Sequence, residues 1–162
     1  MIVNANNIID IIDKFTPKTD ADAVVVKAYR GEACFLRALA YFYLVRLYGD
    51  VPMVVKRFDD PSTAFGIGRT TVNDILTKVV IPDLEYAFVN CYNKGDNVIA
   101  SESARATKGA ALTILAKVYL TMNDHANAAA TLKKLIVDKV AGSYSLLPDY
   151  SKIWLPNNKF NS

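Results

Sequence analysis

Between Ala33 and Val45 the chain reads ACFLRALAYFYLV, an apolar run broken by one charge, Arg37. It lies in a longer helical segment, about 22–48, which Asp20 or Asp22 can cap and which Gly49 and then Pro52 bring to a stop. A helix that is apolar on nearly every side needs packing partners on several sides. Arg37 and Arg46 stand nine residues apart, which at about 100° per residue places them on opposite sides of it. The run is too short to span a bilayer, which takes about 20 apolar residues. The rest of the chain must therefore cover this helix.

The other long segments share its period, and none alternates in the manner of a strand. In residues 1–14, Ile8, Ile11 and Ile12, with Phe15 beyond, form a stripe that Thr16-Pro17 breaks. Over 72–92, Val72, Ile75, Leu76, Val79 and Val80 share a face. Thr70 or Thr71 serves as cap there with Asp74 in the first turn, and Pro82 predicts a kink or restart near Ile81. Small and apolar residues fill 104–122, Asn123-Asp124 makes a turn, and a last helix covers 125–140 before Gly142. The segments form two pairs, about 22–92 and 104–140. Both have the outline of tetratricopeptide repeats, with small residues and tyrosines at Ala40, Tyr43, Ala116, Tyr119 and Ala128. The expectation is one all-α helical domain over 1–162, of about five main helices with little or no sheet. The connection at 50–71 is unusually long, and such loops are often functional.

Composition removes several classes of function. With 52% hydrophobic and 22% charged residues, the chain is not intrinsically disordered. Its net charge of +3 is spread out, so no nucleic-acid stripe forms. The sequence after Met1, IVNANNIIDIID, lacks the basic start and apolar run of a signal peptide. A single histidine, His125, leaves little room for histidine catalysis, and no Cys/His spacing suits zinc. Gly66-Ile67-Gly68 is too short for a phosphate loop and has no lysine, so no metal or cofactor is expected. Cys34 and Cys91 sit among apolar neighbours and read as buried free thiols rather than a bridge. Asp59, Asp60, Asp83 and Glu85 suit capping and solvation better than the carboxylate pair of glycoside hydrolysis, so no catalytic residue is assigned.

The run EACFLRALAYFYLVRLYGDVPMVV (Glu32–Val55) resembles the hallmark segment of SusD/RagB-family proteins. VNANNIIDII (Val3–Ile12) resembles that family's Asn-bearing helix, and RTTVNDIL (Arg69–Leu76) its Arg-Thr-Val helix start. IPDLEYA (Ile81–Ala87) is similar to its Ile-x-x-Asp-Leu stretch. RATKGAALTILAKVYLTMND (Arg105–Asp124) is similar to its second tetratricopeptide-like pair, and YSLLPDYSKIW (Tyr144–Trp154) to the segment after that pair. The resemblance implies a non-enzymatic, surface-exposed lipoprotein of the outer membrane that binds oligosaccharide and passes it to a SusC-like TonB-dependent transporter. It also implies a longer protein, with a signal peptide and lipid-bearing cysteine outside this chain, of which this is the helical core. On the repeat pattern alone, a protein-binding tetratricopeptide-like scaffold is the alternative.

Sugar recognition needs aromatic faces for the ring and polar groups for its hydroxyls. Phe58, Asp59, Asp60, Phe65 and Arg69 offer that mixture in the 53–71 loop. The competing account makes the two phenylalanines loop anchors, Asp59-Asp60-Pro61 a solvated turn and Arg69 structural. Trp154, near Tyr144 and Tyr150, either stacks on sugar or packs the tail on a helix pair. Tyr41, Tyr43 and Tyr48 are expected in the core, and the faces around Phe42 and Leu44 are expected to be uncovered. With one loop carrying the candidates, the chain by itself is expected to bind sugar weakly or not at all.

Overall fold

The computed structural model describes residues 1–58, 60, 62, 66–94, 96, 105–146 and 148–151. Among them the chain forms α1 (Ile2–Lys14), α2 (Asp20–Tyr48), β1 (Val51–Pro52), β2 (Arg69–Thr70), α3 (Val72–Ile75), α4 (Ile81–Asn90), α5 (Lys108–Thr121) and α6 (His125–Ile136). The fold is all-α, with helices stacked in the order α1, α2, α4, α5, α6. Two tetratricopeptide-like pairs, α2 with α3–α4 and α5 with α6, lie side by side.

Local chemistry sets most boundaries. Thr19, not Asp20 or Asp22, caps α2 by accepting from the Asp22 amide, while both acids sit in the first turn where the helix dipole favours them. Gly49 ends α2 at φ 70°, a conformation that favours glycine, and donates to Val45 O. Thr71, Thr107 and Asp124 cap α3, α5 and α6 through side-chain oxygens. Asn123, at φ 59°, makes the expected turn. The last helix stops at Ile136, short of the expected 140, and α5 starts at Lys108 rather than 104.

Pro82 does not break its helix. Between α3 and α4 the backbone widens into a π-helical turn, Leu76–Val80, and the Ile81 amide bonds Leu76 O five residues back. Pro82 then falls in the first turn of α4, where its missing N–H costs little.

The main core is built by Phe35, Ala38, Tyr41, Phe42 and Val45 of α2, by Ile75, Leu76, Val79 and Val80, by Leu84 and Ala87 of α4, and by Ala111, Leu115 and Val118 of α5. Gly31 lets α2 approach the end of α4, since a Cβ there would stand 3.0 Å from Cys91 Sγ. Both cysteines are buried and free, and burial pushes each thiol up to about 12.

Burial on α1 and α2 departs from what an apolar count gives. In α1 the buried residues are Ala5, Asn6 and Ile9, while Ile8, Ile11 and Phe15 are exposed. The helix is rolled so that a polar side chain, Asn6, goes inward. Of the α2 tyrosines 41, 43 and 48, Tyr41 alone belongs to the core. Tyr43 and Tyr48 are 53% and 70% exposed, because no described element covers that side of the helix's last turns. Phe42, expected near an uncovered face, is buried.

Candidate functional site

The 53–71 loop is closed at its base. Antiparallel β1 and β2 pair Val51 with Thr70 and Pro52 with Arg69, and Asp50 Oδ1 accepts from the Val72 amide at 3.0 Å. This two-residue ribbon is the only sheet among the described residues. Above it, residues 54–56 run as a strap across the helices.

Side chains from two helices, α1 and α2, grip that strap. The Tyr41 hydroxyl accepts from Val54 N–H at 2.6 Å and donates to Val54 O at 2.9 Å. The Asn6 amide nitrogen donates to Val54 O at 3.0 Å and to Lys56 O at 3.2 Å. Arg37 Nη1 donates to Asn6 Oδ1 at 2.9 Å and to Val55 O at 3.4 Å. Arg37 also meets Asp83 through two parallel bonds, Nε to Oδ2 at 2.7 Å and Nη2 to Oδ1 at 2.8 Å. The Arg37 and Asp83 side chains are only 11% and 9% exposed. Burial works against the Arg37 charge, but the Asp83 carboxylate overrides it and holds the guanidinium above its usual pKa. Burial likewise raises the Tyr41 hydroxyl, which keeps it a neutral donor.

Asp83, expected to cap or to be solvated, is therefore the buried counter-ion of Arg37. Every polar atom of the Asn6 amide has a partner, which explains why Asn6 rather than Ile8 faces inward. Sequence reasoning did not single out this cluster as a unit. Its members came from separate motif segments, the Asn-bearing helix, the hallmark run and the Ile-x-x-Asp-Leu stretch, and only the fold joins them.

The sequence candidates are placed around this strap. Phe58 is half-buried where the strap ends. Asp60 is exposed and accepts from the Ser62 hydroxyl at 2.6 Å and the Ser62 amide at 2.9 Å, bonds that hold its carboxyl below the ordinary value. Arg69 is exposed on β2, at the loop's returning end. Asp59 and Phe65 lie outside the described residues, as does Trp154. Tyr150 is 74% exposed, and Tyr144 sits where a Cβ on Gly109 would otherwise go.

A separate hollow of about 390 Å³ lies between the start of α1 and the second half of α2, lined by Ile2, Leu39, Tyr43, Leu44 and Leu47 among others. Its wall is almost wholly apolar, which suits sugar hydroxyls poorly. No described helix is long and apolar enough to cross a membrane.

Residues 1–120 match a SusD-like family model described as "Starch-binding associating with outer membrane". Over its whole length the chain is 32% identical to SusD-like protein P25 of Formosa agariphila, of which it covers 29%. A solved laminarin binding SusD-like protein superposes over 99% of the chain and 33% of its own, with TM-score 0.81 and 28% identity. A SusD superfamily protein from Parabacteroides distasonis superposes over 97% and 33%, with TM-score 0.77 and 31% identity. The chain spans about a third of the length of these relatives.

Proposed function

The chain belongs to the SusD-like family, whose members bind carbohydrate in association with the outer membrane, and on that footing we propose that it serves as a glycan-binding component of a nutrient-uptake system. The observation carrying this reading is the likeness of nearly the whole chain to a third of a laminarin binding SusD-like protein. In this reading the 53–71 loop supplies one part of the glycan site. Phe58 offers a ring face, and Asp60 and Arg69 offer hydrogen bonds to hydroxyls, with Asp59 and Phe65 as further candidates. The protein does no chemistry on the sugar. It holds the oligosaccharide at the cell surface, tethered by a lipid, and hands it to a SusC-like TonB-dependent barrel.

Calorimetry on the protein tests this, with laminarin as the first ligand and starch-derived oligosaccharides as the second. Saturable binding that Phe58→Ala weakens about tenfold supports the loop as part of the site. Absence of binding to every glycan in the panel by a protein of its relatives' full length overturns the reading. Co-purification of a TonB-dependent barrel with the tagged protein tests the transporter partnership separately.

A further inference from the structure

We propose that Asn6 and Tyr41 are positioning residues for glycan binding: from two different helices they clamp one short strap, and so preset the loop that carries Phe58 and Asp60. The inference rests on the glycan reading of that loop and adds to it the residues that act through the backbone.

The geometry separates this role from general packing. A buried polar cluster that served only to join helices would spend its bonds on other helices. Here the Arg37–Asp83 pair does that, tying α2 to α4. The remaining donors point elsewhere. Both donor positions of the Asn6 amide and both functions of the Tyr41 hydroxyl end on backbone atoms of Val54 and Lys56. Val54 O takes two of these bonds, matching its two lone pairs. The strap lies only two residues before Phe58, so an error in its placement passes directly to the ring. Together with the ribbon at residues 51–52 and 69–70, the clamp fixes the loop's first half at two successive points. A loop held in its bound shape loses less freedom on binding, which appears as affinity.

Arg37 touches the strap only through a long bond to Val55 O, but its shorter Nη1 bond to Asn6 Oδ1 fixes which way the amide faces and leaves the NH2 end for the strap. Arg37 is also needed for folding, so it is the wrong residue to test. Tyr41→Phe keeps the ring in the core and removes only the hydroxyl. Asn6→Ala releases the strap from α1, costs Arg37 one of its bonds while leaving the Asp83 pair in place, and guards against failure of the first variant.

The experiment is amide hydrogen exchange by NMR on the full chain, paired with laminarin titration. Exchange at Val54 needs no ligand, so it reads the clamp alone. In Tyr41→Phe the Val54 amide should speed up at least about tenfold more than the slowest amides of α2 and α4. The laminarin Kd should rise roughly tenfold, and Asn6→Ala should raise it likewise. Equal acceleration of strap and helix amides overturns the proposal, since the residues then contribute stability only. A loosened strap with unchanged Kd, while Phe58→Ala weakens binding, overturns it as well. If Phe58→Ala also leaves Kd unchanged, the glycan reading of the loop falls, and the positioning role with it.

Discussion

The joint between α2 and α4 and the joint between α5 and α6 both unite a helix pair, by different physics. In the first, a guanidinium and a carboxylate meet out of water through two bonds whose directions leave one arrangement open. In the second, Leu112, Leu135 and Ala141 fill the space with Phe88 against them, and small residues such as Ala116 and Ala128 are buried between helices. The ionic pair nearest its end, Lys133 with Asp138 at 2.6 Å, is solvated. One joint is fixed by orientation and the other by size. The joint fixed by orientation is the one that carries the loop.

The largest expected effect is from Arg37→Ala. It leaves the Asp83 carboxylate buried without its cation, at a cost of about 4 kcal/mol. For a chain of this length that lowers the melting midpoint on the order of 10 °C. The comparison sharpens with Arg37→Met combined with Asp83→Leu. Replacing both partners by apolar groups recovers most of the lost stability, as read by urea denaturation, because the pair serves orientation more than net energy. If the double variant is as unstable as the single, the first joint depends on the charges themselves.

The second joint should respond to volume instead. Leu112→Ala opens a hole among fully packed neighbours and should cost about 3 kcal/mol by the same denaturation measurement. Ala116→Leu should cost about 2 kcal/mol by overfilling a site that is 2% exposed. A tolerated leucine there would show that the helices can part, and would break the contrast.

The smallest effect is a pH dependence at the start of α6. Asp124 accepts the Asn127 amide and side-chain bonds, which hold its carboxyl below the ordinary value. Its contribution is present above the unfolded carboxylate pKa of about 3.9 and is lost as pH falls through the lower folded value. Asp124→Asn keeps a capping oxygen but cannot titrate. Its melting midpoint should therefore drop less than that of the parent protein between pH 7 and pH 3.

The same contrast separates what the sequence made legible from what it did not. Helix pairs, the loop at 50–71, the Asn123-Asp124 turn and the disturbance at Pro82 follow from local rules of period, capping and proline sterics. The second joint was legible in outline, since the small residues Ala116 and Ala128 at helical spacing announce close packing, while Leu112, Leu135 and Ala141 carried no such local signal. The first was not. Asn6 lies 31 residues from Arg37, and Arg37 lies 46 from Asp83, so no window of sequence contains the cluster. Hydrophobic period then misassigned α1, because Ile8, Ile11 and Phe15 outweigh one asparagine in any apolar count. Tyr43 and Tyr48 misled in the opposite direction, being apolar enough to look internal. Of the candidate site, the loop and its residue types were visible in advance, while the side chains that hold it were not.

The π-helical turn before Pro82 has a bearing on how this sequence can change. A single widened turn holds about one residue more than α-helix needs to cover the same distance, and it moves the backbone carbonyls away from the proline ring. Surplus residue and proline thus form one heritable trait. Deleting Thr77 alone would bring a carbonyl back under the ring, and replacing Pro82 alone would leave slack with nothing to absorb. Lost together, they would restore a plain helix with the acid at position 83 still facing its arginine. A one-residue gap here, set against another chain, would therefore mark a change in spelling that leaves the architecture intact.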